Sequence, residues 1–375
     1  MFKKSLAALA VLGAAAGYAS AADVTLFGVV DTGLIYTHQT FADDSKADVN
    51  KFSMDSGVSS ASRFGLKGTE ELGNGLKVGF KLENGFQSDS GALKSEKRIF
   101  DREASVSLYS DFGTLSMGRM GGVGSGAGTY DLVLATADAF DGGDNNVFGF
   151  ATSDRYDNMV TYQTPKFAGL QATVQYSFNE DSVKETAREG SSAVNRYSSA
   201  ALTGDFGALQ TVLAYEFQNY KSFGAAGEHD DGQIVYLGGN YDCGFAKTFV
   251  MGQYFKGIKA GQLTAITEAD ANLIDKAGNT ESAADGVKGY GVHLGTIVPV
   301  AGGDLTVAAY FTDFTVEFDN GEDGDAKSYA FGAKYEYYLS KRTSVYTGAG
   351  FAQVKYDDDG SDKTTQAYLG LTHRF

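Results

Sequence analysis

The chain ends with Thr365-Gln366-Ala367-Tyr368-Leu369-Gly370-Leu371-Thr372-His373-Arg374-Phe375, and this stretch decides the fold. Leu369, Leu371 and Phe375 stand at alternate positions, on one side of a strand. The positions that alternate with them are polar, small or tyrosine. A period of two over this length predicts a β-strand that runs to the last residue. Chain ends usually fray, so a strand that ends on an aromatic residue indicates a terminus tied into a closed sheet.

The first residues predict an export signal. Lys3 and Lys4 form a charged start, residues 6–17 form an apolar run, and Ala19-Ser20-Ala21 has the small side chains of a cleavage site. The apolar run is too short for a transmembrane helix. We therefore expect residues 1–21 to be a cleaved signal peptide and residues 22–375 to form a single domain.

Alternating segments recur between the two ends. Leu170, Val174 and Phe178 share one face of such a segment, and Gln171 and Gln175 share the other. About sixteen segments of this kind occur, each near the roughly 9–11 residues with which a tilted strand crosses a membrane. The mean hydropathy of −0.20 agrees with this, because half of each barrel strand faces water. These segments predict an all-β fold, a transmembrane antiparallel β-barrel of about sixteen strands around a water-filled lumen.

The connections between these segments fall into two length classes. Seven tight turns, such as Gly73-Asn74-Gly75 and Asp205-Phe206-Gly207, alternate with eight longer polar stretches, the first of them at residues 38–62. This alternation is typical of a membrane barrel with short periplasmic turns and long outer loops. A soluble β-sandwich would share the apolar alternation but has no reason to sort its loops in this way.

The third long connection, at residues 118–157, differs from the others. It carries a glycine-rich run at residues 121–128, followed by Asp131, Asp138, Asp141 and Asp144. A connection of this length is either functional or disordered, and its apolar residues argue against disorder. We expect this third loop to fold into the lumen of the barrel.

Charge and cysteine content exclude several classes of protein. Without Lys3 and Lys4, 29 basic residues stand against 47 acidic ones, a net charge of −18. Such acidity argues against nucleic acid as a partner. Cys243 is the single cysteine, so an internal disulfide is impossible. The four histidines have no Gly-x-Ser-x-Gly elbow or paired nucleophile near them, and we expect no enzymatic activity.

The acidic outer loops are expected to hold at most weakly bound Ca²⁺ or Mg²⁺, which could bridge them to lipopolysaccharide. Asp319-Asn320-Gly321-Glu322-Asp323-Gly324 is similar to a calcium loop. However, Gly321 stands where a ligating side chain belongs, and Ala330 stands at the position of the closing glutamate. We therefore expect no EF-hand and no other metal centre or cofactor.

Several motifs together resemble the Gram-negative general porins of the betaproteobacterial and neisserial type. The resemblance covers essentially the whole chain after the signal. It rests on residues 22–31 (ADVTLFGVVD), residues 62–76 (SRFGLKGTEELGNGL), residues 112–119 (FGTLSMGR), Tyr162-Gln163-Thr164-Pro165, Leu339-Ser340-Lys341-Arg342-Thr343 and Phe375.

This resemblance implies a homotrimer of sixteen-stranded barrels in the outer membrane, each with its own pore narrowed by the third loop. Arg63 and Arg155 match the basic wall positions of such pores, and Asp131 matches the acidic motif of the third loop. Phe375 matches the C-terminal aromatic residue that the barrel-assembly machinery recognises. Outer-membrane lipids and lipopolysaccharide would surround the barrel. The sequence departs from anion-selective members at Glu103, where they can carry a basic residue.

We therefore expect passive diffusion of small hydrophilic solutes and ions, with a mild preference for cations because of the net acidity and Glu103. A solute-specific channel and a plugged structural or adhesive barrel stay as alternatives. The expected residues of the pore constriction are Arg63, Lys67, Lys81, Glu103, Arg119, Asp131, Asp138, Asp141 and Arg155.

Overall fold

The computed structural model of the protein describes residues 23–43, 45–95, 97–141, 150–181, 194–220, 231–263, 284–318, 323–357 and 360–375. Antiparallel strands form nearly all of the regular structure in these ranges. They are β1 (Asp23–Thr40), β2 (Val49–Ser56), β3 (Arg63–Gly73), β4 (Leu76–Gly85), β5 (Glu103–Ser110), β6 (Gly113–Gly121), β7 (Arg155–Gln163), β8 (Leu170–Ser177), β9 (Arg196–Phe206), β10 (Leu209–Asn219), β11 (Gly232–Asp242), β12 (Lys247–Ile258), β13 (Ala284–Val300), β14 (Gly303–Phe318), β15 (Asp323–Tyr338), β16 (Thr343–Tyr356) and β17 (Ser361–Arg374).

Helical structure in the described ranges is limited to a single turn, α1 (Leu134–Ala137), and a short 3-10 segment (Ala260–Gln262). None of these described helices has the length and apolar character needed to cross a membrane. The expected signal peptide, residues 1–21, lies outside the described residues, as do Asp144 and most of the calcium-like segment at residues 319–324.

The strands turn apolar side chains outward and polar side chains inward, as the alternation predicts. In β8, Val174 and Tyr176 are exposed on the outer face, whereas Thr173 and Gln175 are buried on the inner face. A continuous exposed apolar belt is stable against lipid but unfavourable in water. The parity of a residue on its strand therefore determines whether its side chain can reach the lumen.

One closed sheet contains all the described strands. β1 pairs with β2 through residues 32–39 and with β3 through residues 23–29, so β2 and β3 are successive halves of one strand. The seventeen segments thus occupy sixteen strand positions, as expected. The loop predicted at residues 38–62 is wrong in part, because it contains β2. Phe52 and Met54 of β2 are exposed on the outer face, but polar and acidic neighbours hide this alternation in the sequence.

The barrel closes between β1 and β17, in a register that pairs Val29 with Arg374. The amide of Gly28 donates to the carbonyl of Phe375 at 3.0 Å, and the amide of Phe375 donates to the carbonyl of Gly28 at the same distance. The aromatic ring of Phe375 lies where a Cβ atom at position 28 would be. Phe375 is therefore part of the seam, which confirms the prediction of a tied terminus.

The two classes of connection are confirmed. Two-residue turns such as Gly207–Ala208 and Ala301–Gly302 join strands at one end of the barrel. Several strands exceed the expected 9–11 residues, with 18 in β1 and 17 in β13. At the long-loop end, these extensions carry exposed ion pairs such as Lys288 with Glu317, 2.7 Å apart. The strands therefore continue beyond the length that a membrane requires.

Loop three spans residues 122–154, and its described parts, residues 122–141 and 150–154, fold into the lumen as expected. Its helix α1 packs against the inner faces of β10, β11 and β12. Gly238 on β11 makes this close approach possible, because a Cβ atom there would lie 2.6 Å from the Cβ of Ala137. Val133, Leu134 and Phe140 of loop three join the largest buried apolar cluster with inward residues of β10–β16. Burial of these side chains in the lumen holds the loop against this half of the wall.

Candidate pore constriction

The two ends of loop three are fixed to the barrel wall by buried polar groups. Near its start, Glu103 of β5 accepts hydrogen bonds from the amide and the hydroxyl of Thr129, at 3.0 and 2.7 Å. Glu103 also accepts from Lys81 at 2.9 Å. The carboxylate of Glu103 is therefore inward, as predicted, but it is occupied by Lys81 and loop three and is almost fully buried.

A second anchor is the fully buried carboxylate of Glu216 on β10. It accepts hydrogen bonds from the amide of Gly124 at 2.9 Å and from the hydroxyl of Tyr197 at 2.6 Å. The hydroxyl of Tyr236 donates to the same carboxylate at 3.3 Å. Gly122 and Gly124 lie so close to the two tyrosine rings that a Cβ atom at either position would overlap a ring. The glycine-rich run thus lets the backbone of loop three lie flat on this tyrosine pair.

Asp138 forms the third anchor, and its expected role is wrong. Its carboxylate is buried, accepts a hydrogen bond from Tyr310 at 2.7 Å and lies 3.4 Å from Nε2 of His293. The same imidazole nitrogen accepts a hydrogen bond from the amide of Ala139 at 3.3 Å, and its ring stacks on Tyr310. Asp138 therefore holds loop three to β13 and β14 and does not present its charge to solutes.

The loop-three carboxyl pair, Asp131 and Asp141, forms the acidic side of the constriction. The two carboxyl groups share a hydrogen bond, and both have raised pKa values because the surrounding protein reduces their hydration. The pKa of Asp141 is raised to about 6, although its bond to Asp131 and the charges of Arg63 and Lys334 oppose the shift. Burial raises the pKa of Asp131 most, and the charge of Asp141 raises it further. The two carboxyl groups therefore titrate as a coupled pair.

The basic wall, which consists of Arg63, Lys81 and Arg102 with Glu83 and Glu103 between them, forms the opposite side. Glu83 accepts from Arg102 at 2.5 Å and lies 3.3 Å from Lys81 and 3.9 Å from Arg63. The guanidinium of Arg63 also donates to the carbonyl of Ala61 at 2.8 Å. Arg63 and Lys81 are therefore each held in a defined position on this wall, and their role in the constriction stays a prediction.

Lys334 of β15 adds a fourth basic position, beside the tip of loop three. Its ammonium lies 5.5 Å from the centre of the Phe140 ring and donates to the hydroxyl of Ser59 at 2.8 Å. This arrangement combines a cation–π contact with a hydrogen bond to the segment between β2 and β3. Lys334 and Arg63 are the two cations whose charges act on Asp141.

The prediction that Arg119 lines the constriction is wrong. Its register partner is Ala104, on the outer side of the sheet with Val106 and Met117. There its guanidinium donates to Asp157 at 2.7 Å. A bulge follows Gly118 in the pairing with β7, where Gly118 pairs with Met159 but Met120 pairs with Tyr156. The extra residue lies in β7, so β6 keeps its alternation: Ser116 and Met120 are buried on the inner face, and Arg119 shares the outer parity of Met117.

Arg155 opens β7 opposite Gly121, and its charged neighbours are Arg102 of the basic wall, Asp154, Asp101 and Arg119. Its role in the constriction, beside this wall, stays a prediction. Lys67 lies on the inner face of β3, towards the short-turn end, with its ammonium 5.3 Å from the centre of the Phe27 ring. Among the described residues, no group of three or more histidine, cysteine, aspartate and glutamate side chains could hold a metal ion.

A family model described as Gram-negative porin matches residues 8–374. The chain belongs to the Gram-negative porin family. An outer membrane porin protein of Bordetella pertussis is 33% identical over the full length of both chains. Outer membrane porin protein 32 of Delftia acidovorans is 31% identical over 94% of this chain and 90% of its own. Among solved structures, an anion-selective porin from Comamonas acidovorans superposes with a TM-score of 0.65 at 25% identity, covering 95% of this chain and 100% of its own.

These relatives confirm that the protein is an outer membrane porin and not an enzyme. Two residues of this porin's constriction, Arg102 and Lys334, were missed in the sequence. Arg102 stands just before β5 and turns inward through its bond to Glu83, which no periodicity reveals. Lys334 shares inward parity with Ala330 and Gly332 in the alternating segment at residues 328–339. A charged residue at an inward-facing position of a late strand is the sequence signal from which Lys334 could have been predicted.

Proposed function

We propose that this porin forms a water-filled channel for small hydrophilic solutes and that its constriction prefers anions. The observation that supports this most directly is the unequal exposure of opposite charges on the basic wall. The side chains of Arg63 and Lys81 are 27% and 23% exposed, whereas those of Glu83 and Glu103 are 4% and 2% exposed. Mobile ions in the lumen therefore meet mainly positive charge on this wall.

The carboxyl pair does not reverse this balance. Its two carboxyl groups have raised pKa values and therefore carry less negative charge than two ordinary aspartates, while Arg63, Lys81, Arg102 and Lys334 supply four basic side chains. The anchored glutamates of the wall are neutralised locally by their partners. Charges around a narrow, low-dielectric neck control ion selectivity more strongly than distant charges do. The arrangement therefore favours chloride or a carboxylate over a cation of similar size.

The net acidity of the chain, which suggested a cation preference, is concentrated elsewhere. Glu317, Asp323 and Asp357 lie at the long-loop end and are within reach of Lys288 and Lys327. Water and salt screen such exposed charges over about 8 Å at physiological ionic strength. They therefore contribute less to the potential at the constriction. The anion-selective porin from Comamonas acidovorans offers independent support for the revised preference.

Liposome swelling tests this proposal with solutes of one size and different charge. We expect glucose to enter liposomes that contain the porin, gluconate salts to enter faster than glucosamine salts, and larger sugars to enter slowly. Exclusion of all three solutes by folded protein would contradict the channel and favour a plugged barrel. Faster entry of glucosamine than of gluconate would contradict the anion preference.

The family resemblance also supports a homotrimer that the barrel-assembly machinery inserts after residues 1–21 are removed. The exposed apolar side chains of β1, β2 and β17, among them Leu26, Phe52 and Leu369, provide an outer face for subunit contact or lipid. The acidic outer loops are suited to weak Ca²⁺ or Mg²⁺ bridges to lipopolysaccharide. Sedimentation in detergent would test the trimer, because a monomer of the folded protein would contradict it.

A further inference from the structure

A cavity of about 420 Å³ opens in the wall of β1, β3, β4 and β5, on the short-turn side of the basic wall. Small-molecule sites commonly have volumes of about 300–1,000 Å³, so the cavity can hold a small solute. Its lining is rich in hydroxyl groups, contributed by Thr25, Thr69, Ser105, Ser107, Tyr109 and Thr129. These groups can donate or accept hydrogen bonds and so can orient a polar ligand.

The charges that line the cavity are of two kinds. Lys81 and Glu103 form an ion pair with each other, 2.9 Å apart. Lys67 and Asp23 also line the cavity, and in the part of the chain that the structure describes neither of them forms an ion pair. The cavity therefore presents one ammonium group and one carboxylate, each without an oppositely charged partner among the described residues.

The ammonium of Lys67 is held in place by an aromatic ring instead of a carboxylate. It lies 5.3 Å from the centre of the Phe27 ring, and this ring lies against Gly65, where a Cβ atom would come within 2.7 Å of it. A cation–π contact positions the lysine and leaves its charge available to a ligand. Because position 65 has no side chain, Phe27 can lie flat beneath Lys67.

The position of Asp23 relative to Lys67 follows from the strand register. Lys67 is directly opposite Thr25, and Asp23 is opposite Thr69, so Asp23 and Lys67 are diagonal neighbours on one face. Diagonal neighbours in an antiparallel pair are about 7–8 Å apart. Long side chains can reach across this spacing, but the ion pairs of the described residues do not include one between Lys67 and Asp23. Both charges are therefore available to a solute that carries opposite charges a few bonds apart.

We propose that this cavity binds a small zwitterion, an amino acid whose carboxylate faces Lys67 and whose ammonium faces Asp23. A solute with a single charge would satisfy Lys67 or Asp23 and leave the other group unmatched. A zwitterion satisfies both and adds hydrogen bonds to the surrounding hydroxyls. The inference rests on the proposed function, because the solute reaches the cavity through the open channel.

Block of the channel current by γ-aminobutyrate tests this proposal. The protein is inserted in a planar bilayer in potassium chloride, and the current is recorded as the solute is added. We expect a block that saturates with concentration. Butyramide, which has nearly the same size and no charge, should give no saturable block, and butyrate and butylammonium should each block more weakly than γ-aminobutyrate.

Three substitutions and one control variant test whether γ-aminobutyrate blocks the channel by binding in this cavity. We expect Lys67→Gln and Asp23→Asn each to raise the half-blocking concentration at least about fivefold, the effect of losing one partly exposed ion pair. Lys67→Arg should retain most of the block. Lys247→Gln is the matched control, because Lys247 also lies over a ring, 5.1 Å from the centre of Phe249, but on β12 outside the cavity. It should leave the half-blocking concentration unchanged.

Two results would overturn the zwitterion site while leaving the channel intact. One is normal conductance with no saturable block by γ-aminobutyrate. The other is an equal shift from Lys247→Gln and Lys67→Gln, which would mean that general lumen charge is responsible. Folding of each variant is checked by its altered mobility on unheated gels. Absence of conductance from folded wild-type protein would instead contradict the proposed function, and this inference with it.

Discussion

The amide of Gly124 donates a 2.9 Å hydrogen bond to the carboxylate of Glu216, which has no exposed surface. This bond joins loop three to β10, on the side of the lumen away from the basic wall. Together with the bonds from Thr129 to Glu103 and from Tyr310 to Asp138, it fixes loop three at three points. The width of the constriction therefore depends on these three buried carboxylates.

The Glu216→Ala variant is expected to loosen loop three. The substitution leaves the buried amide of Gly124 and the hydroxyls of Tyr197 and Tyr236 without this acceptor, at a cost of about 1–3 kcal/mol in the free energy of unfolding. We expect more noise in the open-channel current and a lower urea midpoint. The control is Glu317→Ala, which removes an exposed ion pair with Lys288 and should change neither quantity. Equal effects from the two variants would contradict the anchor.

Ion selectivity is expected to depend on pH through the carboxyl pair. Asp141 has a pKa raised to about 6, so lowering the pH from 7 to 5 removes its negative charge beside Arg63 and Lys334. The ratio of chloride to potassium permeability should therefore rise, with a midpoint near pH 6. Asp141→Asn should lose the midpoint near pH 6, because Asp131 then titrates alone and without the charge of Asp141, which raises its pKa in the wild type. Reversal potentials at several pH values measure this, and a wild-type ratio independent of pH would contradict it.

Protonation of Asp141 also changes the stability of the folded protein, in a direction that follows from its raised pKa. Asp141 binds its proton more tightly in the folded protein than at its ordinary pKa of 3.8. The favourable contribution of protonation is therefore complete below about pH 4 and is lost as the pH rises through about 6. We expect Asp141→Asn to raise the urea midpoint relative to wild type at pH 7 and to change it less at pH 4. The opposite order would contradict the raised pKa.

Arg63 and Arg119 are expected to differ in their effect on selectivity. Arg63→Glu reverses a charge on the basic wall and should lower the chloride-to-potassium permeability ratio several-fold. Arg119→Gln removes an equal charge from the outer side of the sheet, where it binds Asp157, and should leave the ratio unchanged. Reversal potentials of both variants in one salt gradient provide the comparison. A larger shift from Arg119→Gln would place Arg119 in the pore and contradict the register.

Deletion of Phe375 is expected to weaken the barrel seam. It removes both 3.0 Å backbone hydrogen bonds with Gly28 and the ring that covers that glycine. Phe375→Ala keeps the backbone bonds and loses the ring alone, so its effect should be smaller. The temperature at which the folded band disappears on gels measures the difference. Equal temperatures for wild type and the deletion would show that residue 375 does not support the seam.

The sequence predicted the barrel because strand parity and turn length are local signals. Residues 170–178 alternate regularly, and tight turns such as Gly207–Ala208 carry their own glycine signal. β2 escaped detection because the break at residues 57–62 divides one strand position into two short segments. Polar neighbours then made β2 similar to the loop around it.

The constriction was predicted less completely, because it depends on contacts between distant residues. Nothing near Asp138 distinguishes it from Asp131 or Asp141, since its partners His293 and Tyr310 lie more than 150 residues later in the chain. Arg119 shares the parity of Leu115 and Met117, which face outward, so the local alternation of β6 already places it away from the lumen. Net charge is a weak guide to selectivity, because it gives equal weight to buried, paired and exposed carboxylates.

The reversal potential of the wild-type protein in a tenfold gradient of potassium chloride tests the central claim most directly. The exposed cations of the basic wall predict a stable open conductance at pH 7, with a potential whose sign shows chloride to be the more permeant ion. A potential of the opposite sign would contradict the assignment of the basic wall as the element that controls selectivity. Absence of conductance from folded protein would contradict the open channel itself.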